Sequence, residues 1–181
     1  MLSPALRDRK TALWLIAASA LFSACDGSAG SRQGYEPEQP IAYSHALHAG
    51  ELKVDCLYCH FGAEKSRHAG VPPVSVCMNC HTQVLKDSPE VLKIRTAIDT
   101  GRPIAWTKVH RLPDFAYFNH QRHLGAGLAC QGCHGPVETM VRVRQVETMS
   151  MGWCLDCHRN PPPGPGGSVL RPPTDCAACH Q

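Results

Sequence analysis

Apolar residues are unevenly distributed along this chain of 181 residues, and the longest apolar stretch lies near its start. The segment "TALWLIAASALFSA" (11–24) follows the charged segment "LRDRK" (6–10), in which basic residues are in excess. A membrane-spanning helix needs about 20 apolar residues, so this stretch is too short to span a bilayer comfortably. Its length and its basic flank predict a signal peptide over residues 1–24, followed by a polar linker over 25–41.

The end of the apolar stretch carries a candidate modification site. In "LFSAC" the small residues Ser23 and Ala24 precede Cys25, which resembles the lipobox of bacterial lipoproteins, although Phe22 stands where Leu is usual. We therefore expect lipidation of Cys25. Ordinary cleavage and an uncleaved anchor are the alternatives, and all three place residues 26–181 outside the cytoplasm because the basic flank stays inside.

The pattern of segment 87–101, "DSPEVLKIRTAIDTG", predicts an α-helix. Asp87 and Glu90 can form a capping box, Pro89 suits the first turn, and Gly101 suits the C-terminal end. The apolar residues expected on one face are Val91, Ile94 and Ile98.

The rest of the chain has little regular periodicity. "MVRVRQV" (140–146) alternates in the manner of a short strand, and "PPPGPGGSVLRPP" (161–173) has the composition of a linker. Elsewhere loops and short helices are expected. The predicted fold class is therefore mostly irregular with small α-helices and little β-structure.

The middle and C-terminal parts of the chain contain a repeat. "AYSHALHAGELKVDCLYCH" (42–60) and "AYFNHQRHLGAGLACQGCH" (116–134) each contain an H-x-x-H pair and then C-x-x-C-H, and a second C-x-x-C-H follows each copy. Duplication of one structural unit explains this pattern. We expect one domain over 42–181, with repeat units at about 42–86 and 116–160 and a further motif at 176–180.

Five C-x-x-C-H clusters use ten of the eleven cysteines. On a helical turn such a motif can form two thioether bonds to one haem, and its histidine can reach the iron. Zinc sites and disulfides also use paired cysteines, but neither requires a histidine after every pair. The sequence therefore predicts five covalently bound haem c groups. In chain order, the first to fifth clusters are Cys56, Cys59 and His60; Cys77, Cys80 and His81; Cys130, Cys133 and His134; Cys154, Cys157 and His158; and Cys176, Cys179 and His180.

The second axial ligands can be counted from the remaining histidines. Five haems with two histidines each need five more, and six remain among the eleven: His45, His48, His68, His110, His120 and His123. Each H-x-x-H pair can serve the two haems of its own unit or neighbouring ones. The fifth ligand is expected to be His110, which lies in an ordered-looking stretch, and His68 in a polar loop is the alternative. Methionine is the other possible ligand: Met149 or Met151 lies just before the fourth cluster. A haem with methionine and histidine would have a higher potential than one with two histidines.

Composition supports a cofactor-filled interior. Aromatic residues make up 6% of the chain, and many apolar residues lie in the N-terminal stretch, so an ordinary protein core is hard to build from the remainder. The net charge of +3, without a long run of one sign, gives no support for nucleic-acid binding.

These motifs resemble those of class III multihaem cytochromes c. "KVHRLPDFAYFNHQRH", "CHGPVETM" and "MSMGWCLDCHR" are similar to segments of the pentahaem cytochrome subunit of alternative complex III, and the likeness covers about residues 40–160. The resemblance implies a duplicated dihaem unit with a fifth C-terminal haem. It also implies axial roles for the five cluster histidines and for the H-x-x-H pairs and His110.

The function implied by this resemblance is electron transfer without catalysis in the chain itself. A membrane-tethered pentahaem chain on the periplasmic side would relay electrons from a quinol-oxidising complex, with iron–sulfur and polytopic membrane subunits, to a downstream cytochrome c or oxidase. Three alternatives remain open: a free periplasmic shuttle, an electron-transfer subunit of another molybdopterin or iron–sulfur reductase complex, and a multihaem reductase that keeps one open iron position.

Overall fold

Short helices and irregular segments build the part of the chain that the structure, a computed structural model, describes, which is residues 31–180. The predicted signal peptide (1–24) and Cys25 lie outside these residues. The α-helices are α1 (Cys56–Cys59), α2 (Val74–His81), α3 (Pro89–Thr100), α4 (His120–Gly125), α5 (Gln131–His134) and α6 (Met151–Arg159). A π-helical turn spans Ala46–Glu51, and 3₁₀ turns span Phe61–Glu64, Val137–Thr139, Pro165–Gly167 and Cys176–Ala178.

The predicted fold class is confirmed: residues 31–180 contain no strand, and their β-pairing is one isolated bridge between Ala116 and His180. Within the same residues no helix has the length and apolar character needed to cross a membrane.

Helix α3 lies where the sequence predicted it, but its N-cap is different. The Ser88 hydroxyl, not the Asp87 carboxylate, accepts a hydrogen bond from the backbone N–H of Val91 (3.3 Å). Glu90 does not complete a capping box, because its carboxylate accepts bonds from the backbone N–H of Ala42 (2.9 Å) and from Lys93 (2.8 Å). The predicted Asp87–Glu90 capping box is therefore wrong.

The two ends of the apolar face of α3 differ in burial. Val91 and Ile94 are buried as expected, whereas Ile98 is 46% exposed. Gly101 ends the helix with φ of 64°, the left-handed conformation that glycine adopts without a steric penalty.

The strand predicted over 140–146 is absent. The backbone of Gln145 exchanges hydrogen bonds with the N–H of Gly34 (2.7 Å) and the carbonyl of Tyr35 (3.0 Å). This pairing cannot extend into a ladder, because the neighbouring segment turns: Gly34 has φ of 81°, and the N–H of Tyr35 bonds back to Arg32. The Gln145 amide is 1% exposed and donates to the carbonyls of 147 and 148 on its own chain.

Each C-x-x-C-H cluster lies on or beside one helical turn. Residues three and four apart share a helix face, so a turn places the two cysteines and the histidine on the same side. Polar caps fix where three of these turns begin. Asp55 accepts from the N–H of Leu57 (2.7 Å), Ser150 from that of Trp153 (3.2 Å), and Asp175 from that of Ala178 (3.0 Å).

The two repeat units pack against each other at two places. The π-helical turn Ala46–Glu51 packs on the 3₁₀ turn Val137–Thr139, and the 3₁₀ turn Phe61–Glu64 packs on α4. Gly50 permits the first contact, since a Cβ at this position would overlap the backbone carbonyl of Glu138.

The protein core is small. Many large apolar side chains stay exposed in the structure, including Phe115 (61%) and Tyr58 (48%). So few buried side chains cannot stabilise a domain of this size alone, which agrees with the cofactor-filled interior expected from the sequence. The buried apolar residues within 31–180 are Ile41, Ala63, Val91, Ile94 and Met140.

Candidate functional site

The histidine rings of the H-x-x-H pairs face the histidines of the clusters. The ring centroid of His45 lies 6.5 Å from that of His60, with the planes within 4° of parallel. His48 lies 6.3 Å from His81 at 58°. In the second unit, the centroids of His120 and His134 are 6.3 Å apart at 5°, and those of His123 and His158 are 6.1 Å apart at 37°.

These four separations suit two imidazoles on opposite faces of one metal ion. A metal–nitrogen bond is about 2 Å long and the ligating nitrogen lies about 1.1 Å from its ring centroid, so the two centroids would be roughly 6.3 Å apart. Most direct ring contacts within residues 31–180 are closer, such as the 4.4 Å between Tyr43 and His48. The four pairs are therefore spaced for an atom between the rings.

The other nitrogen of most of these rings is held by the backbone. Nδ1 donates to a carbonyl oxygen in seven histidines, at 2.6 Å (His158 to Pro173) to 3.3 Å (His180 to Phe115). This bond fixes the ring orientation and leaves Nε2 as the free nitrogen, as in metal-binding histidines. The other five bonds join His48 to Ser44, His60 to Gly70, His81 to Val84, His120 to Arg67, and His123 to Asn119.

An aromatic residue two positions before each H-x-x-H pair supports both histidines. Tyr43 stacks on His48 (4.4 Å between centroids) and meets His45 edge-on (4.8 Å). In the second unit, Phe118 makes the corresponding contacts with His123 (4.3 Å) and His120 (4.8 Å). Neither residue was assigned a role from the sequence. The signal was present, because an aromatic residue precedes both pairs at the same spacing.

Burial keeps two of the facing rings neutral. It lowers the pKa of His45 to about 4, with the neighbouring His60 and His48 adding to the effect. Burial lowers the pKa of His134 to about 4 as well, with contributions from His110, His120 and His60. Neutral imidazole is the form that binds metals. Nδ1 of His45 is buried without a protein partner.

The fifth cluster has a different neighbourhood. Among residues 31–180, the ring contact of His180 is with Phe115 (5.8 Å between centroids), and no histidine ring faces it at the separation found in the other four clusters. The segment beside it is fixed, because the N–H of Tyr117 donates to the carbonyl of Cys179 (2.7 Å).

His110 and His68, the two candidates for the fifth second ligand, lie in different surroundings. His110 lies edge-on against His134 of the third cluster, with 4.4 Å between ring centroids, and its Nε2 is buried without a partner. His68 is exposed and follows Arg67, whose guanidinium lies 4.0 Å over the ring of Tyr117 beside the fifth cluster. Neither of these two rings packs against His180.

The sulfur-bearing residues are accessible for modification or ligation. The ten cysteines within 31–180 are all unpaired, and each is exposed or half-buried. Of the two candidate methionines, Met149 adopts a positive φ of 52°, and Met151 is 65% exposed at the start of α6.

Comparison with known proteins agrees with this geometry. Residues 116–181 match the family model described as cytochrome c7 and related cytochrome c. The chain is thus similar to multihaem cytochromes c of the cytochrome c7 kind. A curated relative, the multiheme cytochrome c subunit of a menaquinone reductase from Nitratidesulfovibrio vulgaris (strain Hildenborough), is 28% identical over 146 residues, covering 69% of this chain and 70% of the relative.

The residues of this cytochrome c7-like chain fit covalently bound haem c. Unpaired cysteines three apart, each pair followed by a histidine, provide the attachment chemistry. The spacing of four ring pairs, the backbone bonds to Nδ1 and the small apolar core are independent observations that agree with it.

Proposed function

We propose that this chain binds five haem c groups and relays electrons within a quinone-linked membrane complex. The observation that carries the proposal is the spacing of four histidine pairs at 6.1–6.5 Å between centroids, each pair containing one cluster histidine. In this proposal His45 and His60 ligate at the first cluster, His48 and His81 at the second, His120 and His134 at the third, and His123 and His158 at the fourth.

Each group of residues has a defined task. The two cysteines of a cluster form thioether bonds that fix the position of the haem, and the backbone carbonyls orient the histidine rings through Nδ1. Tyr43 and Phe118 restrict the rotation of the H-x-x-H rings. Bound haem supplies reversible one-electron chemistry at its iron. With two imidazoles at each of four clusters, a bound haem iron would have no position for a substrate, and the residues there would support electron transfer and not bond chemistry.

The second ligand at the fifth cluster is one of two histidines. The sequence favours His110, whereas the position of Arg67 over Tyr117 favours His68, because this contact holds the loop of His68 beside Cys179. We expect His68 to complete the fifth site. Replacing each histidine separately distinguishes the two, as described below.

The partners are inferred from the relative and from the sequence motifs. The relative is a subunit of a menaquinone reductase, and the sequence resembles the pentahaem subunit of alternative complex III. Both support a role beside membrane subunits that react with quinone and carry iron–sulfur or molybdopterin-type centres. We further propose that residues 26–181 lie in the periplasm, tethered through lipid on Cys25.

Purification from gentle detergent tests this assignment. We expect the haem-bearing chain to co-purify with a polytopic membrane subunit and an iron–sulfur subunit, and a mass spectrum of the N-terminal peptide to show lipid on Cys25. Recovery of the chain alone in the soluble fraction would support a free shuttle instead.

The direction of electron flow separates two versions of the function. In a complex like alternative complex III, a quinol would reduce the haems, and a downstream cytochrome c or oxidase would reoxidise them. The name of the relative favours the reverse direction, with electrons delivered to menaquinone. Adding a menaquinol analogue to the oxidised complex decides between them. Rapid reduction of the haems by the quinol analogue supports quinol oxidation. If the haems stay oxidised, and the pre-reduced complex instead reduces an added quinone, the second version is supported.

A further inference from the structure

The contacts between clusters connect them in an order that differs from their order in the sequence. The first and second clusters are joined directly: Asn79, between the cysteines of the second, donates a hydrogen bond to the hydroxyl of Tyr58, between the cysteines of the first (2.8 Å). The His45–His48 turn spans the same two clusters through its ring pairs. Burial and the neighbouring Cys77 thiol also raise the pKa of Cys59.

The first cluster also borders the third. Burial and then the neighbouring Cys130 thiol raise the pKa of Cys56. The 3₁₀ turn Phe61–Glu64, which follows the first cluster, packs on α4. His120, which faces the third cluster, is oriented by the carbonyl of Arg67 from the first unit (2.8 Å). The two repeat units are therefore joined through these two clusters.

The third cluster borders the fourth within the second unit. The turn with His120 and His123 spans them, since one ring faces His134 and the other faces His158. Burial raises the pKa of Cys133, and the thiols of Cys157 and Cys154 add to the effect.

The fourth cluster borders the fifth. Nδ1 of His158 donates to the carbonyl of Pro173 (2.6 Å), three residues before Cys176. Burial and then the Cys179 thiol raise the pKa of Cys154. The fifth cluster also contacts the segment that precedes α4: the N–H of Tyr117 donates to the carbonyl of Cys179 (2.7 Å), and Ala116 pairs with His180. Within residues 31–180, no hydrogen bond or ring contact joins a cysteine or histidine of the fifth cluster to one of the first, second or third.

We propose that the five clusters form one unbranched series in the order second, first, third, fourth, fifth, so that electrons enter and leave this chain at the second and fifth clusters. This inference rests on the proposed function. One electron at a time passes from a reduced partner at one end to an oxidised partner at the other, and the chain itself is unchanged over a full transfer.

The order of the series constrains where partners bind. The two outer clusters are distant in sequence, one on α2 and the other on the turn Cys176–Ala178 near the C-terminus. The third cluster, in the middle of the series, is bordered by both repeat units, and burial lowers the pKa of its His134 to about 4. One partner therefore needs to approach α2 and the other the C-terminal turn. The quinone-reactive subunit can take either of these two ends, and the soluble partner takes the opposite one.

Diffraction from crystals of the holoprotein at the iron absorption edge tests the order. Each anomalous peak is assigned to a cluster by the cysteines attached to its haem. We expect five peaks, with the second-cluster iron nearest to the first, the first-cluster iron between the second and the third, and the fifth-cluster iron nearest to the fourth.

The outcomes separate this inference from the proposed function. Five peaks in a different order, such as a fifth-cluster iron nearest to the first or the third, would overturn the series and leave the haem number intact. Fewer than five peaks from fully matured protein would overturn the proposed haem content as well.

Discussion

Replacement of His45 by alanine tests the ligand pairing at a position where the structure permits a clean perturbation. The His45 ring faces His60 at 6.5 Å and within 4° of parallel, and its Nδ1 has no protein partner. Removing the ring therefore strands no hydrogen-bonding group of the protein. The substitution removes the edge-on packing of this ring with Tyr43, and such aromatic pairs contribute about 1 kcal/mol, so the variant is expected to fold.

The magnitude follows from the number of clusters. If His45 is the second ligand at one of five sites, the variant converts one fifth of the haem from low spin to high spin and leaves the rest unchanged. Electron paramagnetic resonance of the oxidised protein, integrated against total haem, measures this fraction. A low-spin fraction equal to that of the unmodified protein would refute the ligand role of His45.

The pairing of His45 with the first cluster is tested in a variant that lacks the first haem. In protein lacking the first haem, made by replacing Cys56 and Cys59 with alanine, His45→Ala should create no high-spin haem, because its iron is already absent. His48→Ala in the same background should still create one, since His48 faces the second cluster. A high-spin haem produced by His45→Ala in this background would contradict the pairing read from the rings.

Three further predictions address the cap, the core and the fifth site. Ser88→Ala should lower the free energy of unfolding of the holoprotein by about 1 kcal/mol in thermal denaturation, whereas Asp87→Ala should not; equal losses would argue against the observed cap. Protein produced without haem maturation should lack stable secondary structure by circular dichroism, because the five apolar side chains buried within residues 31–180 are too few for a core, and a folded apo-form would disprove this. His68→Ala should convert one fifth of the haem to high spin, while His110→Ala should leave the low-spin fraction unchanged; the reverse result would assign His110.

The sequence predicted the parts of the fold that depend on local patterns. Helix α3 was placed to within two residues at its start, because proline, an apolar face and a terminal glycine all act locally. Its cap was misassigned because Glu90 bonds to Ala42, which lies 48 positions away. The alternation at 140–146 failed for a similar reason, since a strand needs a partner and the adjoining segment turns at Gly34.

The site was predictable in its residue types but not in its pairings. The two cysteines and the histidine of each cluster lie within five consecutive positions, so these residues could be named from their spacing alone. The partner of a ring in H-x-x-H depends on tertiary packing: His120 receives its orienting carbonyl from Arg67, 53 positions earlier in the chain. The order of the clusters is tertiary too, because the Phe61–Glu64 turn of the first unit packs on α4 of the second.

The most direct measurement is the mass of the intact mature polypeptide under denaturing conditions, in which thioether-linked haem stays attached. We expect the mass of the processed chain plus five haem groups, with all ten cluster cysteines blocked to alkylation. A mature, exported chain that carries fewer haems, or whose cluster cysteines react freely with an alkylating reagent, would contradict the proposed haem content.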